Sequence, residues 1–376
     1  MNERDDSDRC GGALTVAVIG AGIVGSSVAH RLSESGAEVV IIDGAEPGSG
    51  TTSTSFAWVN ANNKLPREYF ELNVAGMREH ERLRDEIGDG WLHSTGNLIW
   101  AANDEQANLE ERVERLRSWS YAAEMLPAAT VNEKLEPGAA LPEIRIAHFP
   151  EESWVDAPAL TRRLVEAAVR IGAHERFGDA VRGIEVEGEG VTLRLEEGEV
   201  HADAVVNATG AEATSVAEMV GRELPLDVFP GLLVRVAVPG EPLRHLMHTP
   251  LINVRPDGPG YVLLHHGSVD ERLTDAFAGT EDPLCEELLE RARHVLPALE
   301  EAEVVEARFG MRPVPADGHS CVGALSAIPG YYEAVTHSGV TLGPLIGLLL
   351  AREILTGEVD PLIVPFRADR FPSTQV

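Results

Sequence analysis

The sequence predicts an α/β fold that opens on a Rossmann-type βαβ unit, and three observations carry that prediction. The apolar run Leu14–Ile19 reads as a buried strand. Gly20-Ala21-Gly22-Ile23-Val24-Gly25 follows at once, and a helical stripe of Val24, Val28 and Leu32 starts inside it. A second apolar run, Val39–Ile42, closes on an acid, Asp43. In such a unit Gly20 permits the tight turn out of the strand, Gly22 lets the backbone approach a pyrophosphate, and Gly25 lets the helix pack closely on the sheet. The helix start at Ile23 and Val24 offers N–H groups and partial positive charge to phosphate. Asp43 stands 18 residues beyond Gly25, close to the spacing at which a carboxylate accepts hydrogen bonds from an adenosine ribose. The sequence is thus read as dinucleotide-binding; the bland alternative is a glycine-rich turn in an ordinary α/β protein.

At 376 residues the chain exceeds one simple core, so two domains are expected. A net charge of −30 without any Lys/Arg-rich segment argues against nucleic acid or an anionic membrane as partner. Cys10, Cys285 and Cys321 are odd in number and lack metal-ligand spacing, which suggests a reduced, cytoplasmic protein with no Cys-based metal site. Residues 1–12 are polar and read as a disordered tail rather than a signal peptide. The longest apolar stretch, Val340–Ala351, reads as too short and Gly-rich to span a bilayer, so a soluble chain is expected. Lys64 and Lys134 are the only lysines against 29 arginines, so a catalytic cation in the second half of the chain must be Arg or His. The sequence sets no oligomeric state.

Beyond the βαβ unit, Pro47–Ser55 is a run of glycine and hydroxyl residues, either a flexible linker or a phosphate-binding loop in which Thr51, Thr52 and Ser53 contribute. Helical patterns cover about 67–87, 104–120, 160–171, 284–296 and 341–355; strand-like runs include Val181–Val186, Val191–Leu195, Leu232–Val238, Leu251–Arg255 and Tyr261–His266. Ala204–Ala211 reads as a buried strand ending in a small-residue turn at Thr209-Gly210, a second point of close backbone approach.

Taken in order, the glycine fingerprint with Asp43, the loop Thr51–Ser55, Asn207-Ala208-Thr209-Gly210, Gly310-Met311-Arg312-Pro313 with Asp317-Gly318, and His337-Ser338-Gly339-Val340-Thr341 resemble the FAD-dependent oxidases that include D-amino-acid oxidase, glycine oxidase and monomeric sarcosine oxidase. The resemblance spans nearly the whole chain. It implies FAD rather than NAD, and a discontinuous architecture. Residues 13–88, 151–225 and 308–370 would form the FAD domain; 89–150 and 226–307 would form an antiparallel-sheet substrate domain with flanking helices, an α+β part. It further implies that Val181, Thr209, Gly210, Ser338, Gly339, Val340 and Thr341 join the fingerprint in holding FAD. The last four would form a helix start whose dipole stabilises the reduced flavin.

The resemblance also implies that Arg312 binds the substrate carboxylate, a role for which two parallel charge-assisted hydrogen bonds suit a guanidinium. The alternative is a structural salt bridge, for example to Asp317. Where some relatives attach flavin through cysteine, this chain has Phe309, and Cys321 lies beyond the motif, so FAD is expected to be non-covalent. Sarcosine-oxidase-like members activate dioxygen with a lysine. The matching strand here offers only His265 and His266, which alternate in direction, so at most one faces the site. Asn253, flanked by Arg255, replaces a tyrosine lid. Trp58, Asn60 and Lys64 follow the hydroxyl-rich loop and are expected to reach the flavin face, with Trp58 either a substrate contact or a core residue. The expected activity is oxidation of a C–N bond in a small amino acid or N-alkyl amino acid, by hydride transfer to flavin N5. The rivals are a flavin-dependent 2-hydroxy-acid dehydrogenase, an NAD-dependent dehydrogenase and a non-enzymatic nucleotide sensor. No metal site is expected.

Overall fold

The computed structural model describes residues 13–102, 104–188, 190–274 and 276–371. Residues 1–12, with Cys10 and the expected tail, lie outside them. Two compact units emerge: one from Met1–Ser49, Thr161–Asp227 and Val314–Val376, the other from Gly50–Leu160 and Val228–Pro313.

The first unit is the predicted α/β part. Its six-stranded sheet runs Cys321–Ala324, Tyr331–Val335, Ala204–Asn207, Thr15–Ile19, Glu38–Asp43, His174–Phe177, and all neighbours are parallel except the first pair. Strands buried on both faces explain the unbroken apolar runs that made the first strands legible. A three-stranded antiparallel sheet, Val181–Glu187, Gly190–Leu195 and Glu199–Ala202, adds Ile184, Val191 and Leu193 to the core. The helix Gly339–Thr356 packs along the helix Ile23–Glu34. A Cβ at Gly347 would come within 2.6 Å of the Ser27 backbone, so only glycine permits this approach. Gly339–Thr356 is long and apolar enough to cross a membrane by length and composition, contrary to the reading of Val340–Ala351 as too short. Most of it is nevertheless buried inside the protein.

The second unit contains an eight-stranded sheet in the order Glu303–Pro315, Leu226–Ala237, Tyr261–His265, Asn253–Pro256, Leu246–His248, Asn97–Ile99, Arg145–Phe149, Glu124–Pro127. It departs from the expected antiparallel sheet where Leu246–His248 runs parallel to Asn97–Ile99. The expected boundaries also shift: residues 50–88, 151–160 and 308–313 belong here rather than with the nucleotide unit, and 226–227 belong with the nucleotide unit. The reason is local pairing and packing. Trp58–Val59 and Leu92–His93 both pair with Ser153–Val155, and Phe70 of the helix Arg67–Ile87 packs against Trp119 and Tyr121.

The sheet register aligns side chains. His265 lies opposite Asn253, Asn253 opposite His248, His248 opposite Ile99, and Ile99 opposite Ala147. Directly opposed residues share a face, so one row crosses five strands, polar at one end and apolar at the other. The helix Gln106–Ser118 covers the apolar end, with Leu109, Val113 and Leu116 in one cluster with Ile99, Ala147 and Phe149.

Candidate active site

In the first unit the glycine fingerprint is set by steric necessity. Gly20 has φ +102°, and a Cβ there would meet the Ala208 carbonyl oxygen at 2.5 Å; one at Gly25 would meet the Gly20 oxygen at 1.9 Å. Asp43 braces the turn from below, accepting from the Ala21 N–H at 2.7 Å and the Ala45 N–H at 2.9 Å. A carboxylate retains further lone pairs after two such bonds. Among the described residues no side chain caps the helix that begins after Gly22, and no acid lies in its first turn, the electrostatic condition for receiving an anion. Gly25→Ala is expected to yield protein that no longer retains yellow cofactor through gel filtration; a variant with the wild-type flavin-to-protein absorbance ratio would contradict this.

The remaining cofactor candidates of this unit lie at strand and helix ends. Thr209 donates its hydroxyl to Asn207 Oδ1 at 2.7 Å, and Gly210 turns the chain at φ +59°. Val181 lies at a register shift in its hairpin. Ser338 precedes the helix that carries Gly339, Val340 and Thr341, but its hydroxyl makes no capping bond, so the ordinary N-cap reading fails. Cys321 is wholly buried and donates to Glu333 at 3.1 Å, and burial raises its thiol pKa further.

From Gly50 on, the hydroxyl-rich loop lies in the second unit, and it is a wound turn rather than a flexible linker. Thr51 donates to the Met311 carbonyl at 2.7 Å and Ser53 to the Gly50 carbonyl at 2.9 Å, while Thr52 is buried.

The second unit gathers a polar chain at the end of the sheet row. Arg312 Nη2 donates to the Pro230 carbonyl and to Asp270 Oδ2, both at 2.8 Å. The expected salt bridge therefore exists, but to Asp270; Asp317 is held by Arg370 instead. Both Nη2 hydrogens are spent and Nε is buried beside Gly231 without a partner. The expected fork across two nitrogens is thus closed, and Nη1 is what Arg312 offers a ligand. Asp270 also accepts from His265 Nε2 at 2.9 Å and from the Leu232 N–H. Burial alone works against its charge, but His265, Leu232 and Arg312 together hold its pKa below the usual carboxylate range. With Nε2 protonated toward Asp270, His265 Nδ1 accepts from Asn253 Nδ2 at 3.3 Å, leaving Asn253 Oδ1 as an acceptor.

His266 points elsewhere. It caps the short helix after it, bonds Ser268 Oγ at 2.8 Å and lies 3.3 Å from Arg291, so strand alternation removes it from the cluster. Arg255 is largely committed to the fold. Its guanidinium is buried over the Trp154 ring, with Nε on the Phe56 carbonyl and Nη1 on the Pro256 carbonyl and Asp257, so these two nitrogens brace the backbone before Trp58.

Trp58 leads to residues that sequence reasoning missed. Its indole donates at 2.9 Å to Glu152, a fully buried carboxylate that also accepts from Asn62, Asn97 and Tyr121. Burial raises Glu152 to about 7 against the pull of these donors. A carboxylate facing Asn97 fixes the amide, so Asn97 Nδ2 donates to Glu152 and Oδ1 accepts from His248 Nδ1 at 3.0 Å. His248 is therefore the Nδ1–H tautomer, with a lone pair on Nε2. Burial lowers its pKa to about 3, so it stays neutral, and its ring lies 3.9 Å from that of Trp58. Lys64, lowered to about 8 mainly by burial, feels the charge of Glu152.

The second unit thus aligns a cation at Arg312 with two hydrogen-bond acceptors on adjacent strands, Asn253 Oδ1 and His248 Nε2. That combination suits a molecule with a carboxylate beside an N–H.

A glycine-cradled turn with an uncapped helix start fits an FAD pyrophosphate, and the sequence matches the FAD dependent oxidoreductase family over residues 15–353. The chain belongs to that family: it is a flavin-dependent oxidoreductase that binds FAD, and the nicotinamide and sensor readings fall away. It is similar to glycine oxidase of Geobacillus kaustophilus, 28% identical over 94% of this chain and 96% of the relative. One of the polypeptides of opine oxidase from Agrobacterium tumefaciens is 26% identical over 96% of this chain and 99% of its own length. The crystal structure of the Geobacillus glycine oxidase superposes with a TM-score of 0.86, covering 96% of this chain and all of that one at 24% identity.

Proposed function

We propose that this enzyme oxidises the C–N bond of a small amino acid or N-alkyl amino acid, releasing an imine that hydrolyses. The observation that carries the reading is the row of Arg312, His265, Asn253 and His248 on one sheet face of the second unit. Arg312 Nη1 holds the carboxylate. Asn253 Oδ1 and His248 Nε2 are the acceptors offered to the amine, both used by an uncharged primary amine and one of them by an uncharged N-alkyl amine; neutral His248 lets the amine bind uncharged, so no strong base is needed. Asp270 orients both Arg312 and His265. FAD, when bound, would supply the two-electron acceptor for a hydride from the substrate carbon. Gly20, Gly22, Gly25, Asp43, Val181, Thr209, Gly210 and Ser338–Thr341 would hold it without a covalent bond, consistent with Cys321 being sequestered on Glu333. The similarity to a glycine oxidase and to an opine oxidase polypeptide supports the C–N reading over the 2-hydroxy-acid one.

The test begins with the visible spectrum of purified protein before and after acid precipitation. Flavin is expected in the supernatant; colour retained in the pellet overturns non-covalent binding. Anaerobic titration with glycine, sarcosine, alanine enantiomers and lactate follows. Bleaching by an amine is the expected result, and bleaching by lactate alone overturns the C–N assignment.

A further inference from the structure

The helix Gln106–Ser118 turns Leu109, Val113 and Leu116 onto the sheet, yet Arg112 lies on the same stripe, three and four residues from Leu109 and Leu116. Arg112 Nε is buried with no hydrogen-bond partner, and so is Nε of Arg115 one turn on. The chain has 61 acids for 31 basic side chains, so an internal carboxylate partner is easily supplied; among the described residues none makes an ion pair with Arg112, and Glu152 favours its charge only from a distance, against burial and the charge of Arg115. A guanidinium kept beside a like charge in an apolar stripe is unfavourable unless something else pairs with it.

The placement says what that partner is near. The helix covers Ile99, the direct sheet neighbour of His248, and His248 lies within electrostatic reach of both Arg112 and His265. Arg112 therefore stands at one end of the row whose other end is Arg312. Glu152, the nearby acid, is already filled by neutral donors from Trp58, Asn62, Asn97 and Tyr121. His265, which shares Asp270 with Arg312, and Ile99, which packs under the helix of Arg112, lie on strands three spacings apart, roughly 14 Å between backbones. That matches a small molecule with a carboxylate at each end, contacts included.

We propose that Arg112 is a second carboxylate-binding residue, and that the substrate is an imino diacid: a secondary amine with a carboxylate on each arm, one on Arg312 and the other on Arg112. The amine nitrogen falls between them, opposite Asn253 and His248. This deepens the proposed function and rests on its placement of the substrate.

The test uses the FAD-loaded enzyme and two unreactive probes. Oxydiacetate has an ether oxygen in place of the nitrogen and two carboxylates; methoxyacetate has the same ether and one. Calorimetry is expected to show oxydiacetate binding about tenfold or more tighter, the scale of one charge-assisted pair. Arg112→Gln is expected to bring the two affinities together, and Arg112→Lys, which keeps the charge without the planar fork, to leave part of the difference. Equal binding of both probes by the wild type overturns the proposal without any variant, and so does a preference that survives Arg112→Gln. Failure of the underlying reading is a different result: methoxyacetate binding indifferent to Arg312→Gln, with amines that do not bleach the flavin.

Discussion

Replacing Arg312 with alanine is expected to lower kcat/KM for amino-acid substrates by about 2–5 kcal/mol, a factor of roughly 30 to several thousand, while FAD stays bound. The carboxylate loses its cation, and Asp270 keeps only His265 and the Leu232 N–H. Because Asp270 orients His265, part of the loss is geometric, so the variant is expected to lose kcat as well as binding. Adding free guanidinium to the variant and measuring steady-state rates checks the assignment: partial recovery supports it. Unchanged kinetics in Arg312→Ala would reduce the residue to a brace for Pro230 and Asp270.

Glu152→Ala is expected to destabilise the protein by about 3–5 kcal/mol, because it strands the Trp58, Asn62, Asn97 and Tyr121 donors in the interior and releases the tautomer lock on His248. Glu152→Gln keeps the shape and resembles the neutral acid: its NH2 can donate to Tyr121, whose hydroxyl then turns to Met77 Sδ at 3.6 Å, and to Asn62 once that amide turns its unpartnered Oδ1 inward. The two variants also separate on pH. The folded pKa of about 7 lies above the ordinary 4.5, so the native state binds the extra proton between those values. The contribution from Glu152 is greatest at low pH and falls by about 3 kcal/mol as pH rises from near 4.5 through 7. Denaturant unfolding at pH 5 and pH 8 is expected to show this slope in the wild type and its absence in Glu152→Gln. Equal slopes in both would mean that Glu152 is ionised throughout.

The nucleotide unit was legible because its requirements are local. Gly20, Gly25 and Asp43 meet within one strand–turn–helix–strand stretch, and each is demanded by backbone geometry that leaves a sequence trace. The second unit leaves no such trace. Glu152 sits in Pro150-Glu151-Glu152-Ser153, where an acid pair reads as solvated surface, and its four partners come from three distant places in the chain. Asp270 and His248 have the same problem: their roles arise from register between strands, not from spacing along one. His265 was separable from His266 only to the extent that strand alternation allows one to face the site. The boundary near residue 50 was misplaced because the pairing of Trp58 with Trp154 joins segments about a hundred residues apart.

The close packing of Ile23–Glu34 against Gly339–Thr356 has a consequence for assembly with the cofactor. Gly343 meets Ile23 and Gly347 meets Ser27, four residues on in each helix, so the two run parallel with their starts side by side. Each start carries roughly half a positive charge, and two such ends repel when nothing lies before them. An anion bound there acts as a counter-charge for the helix pair as well as a ligand. Cofactor loading and the stability of this helix pair are thereby coupled, and the repulsion lowers the stability of the protein without its cofactor.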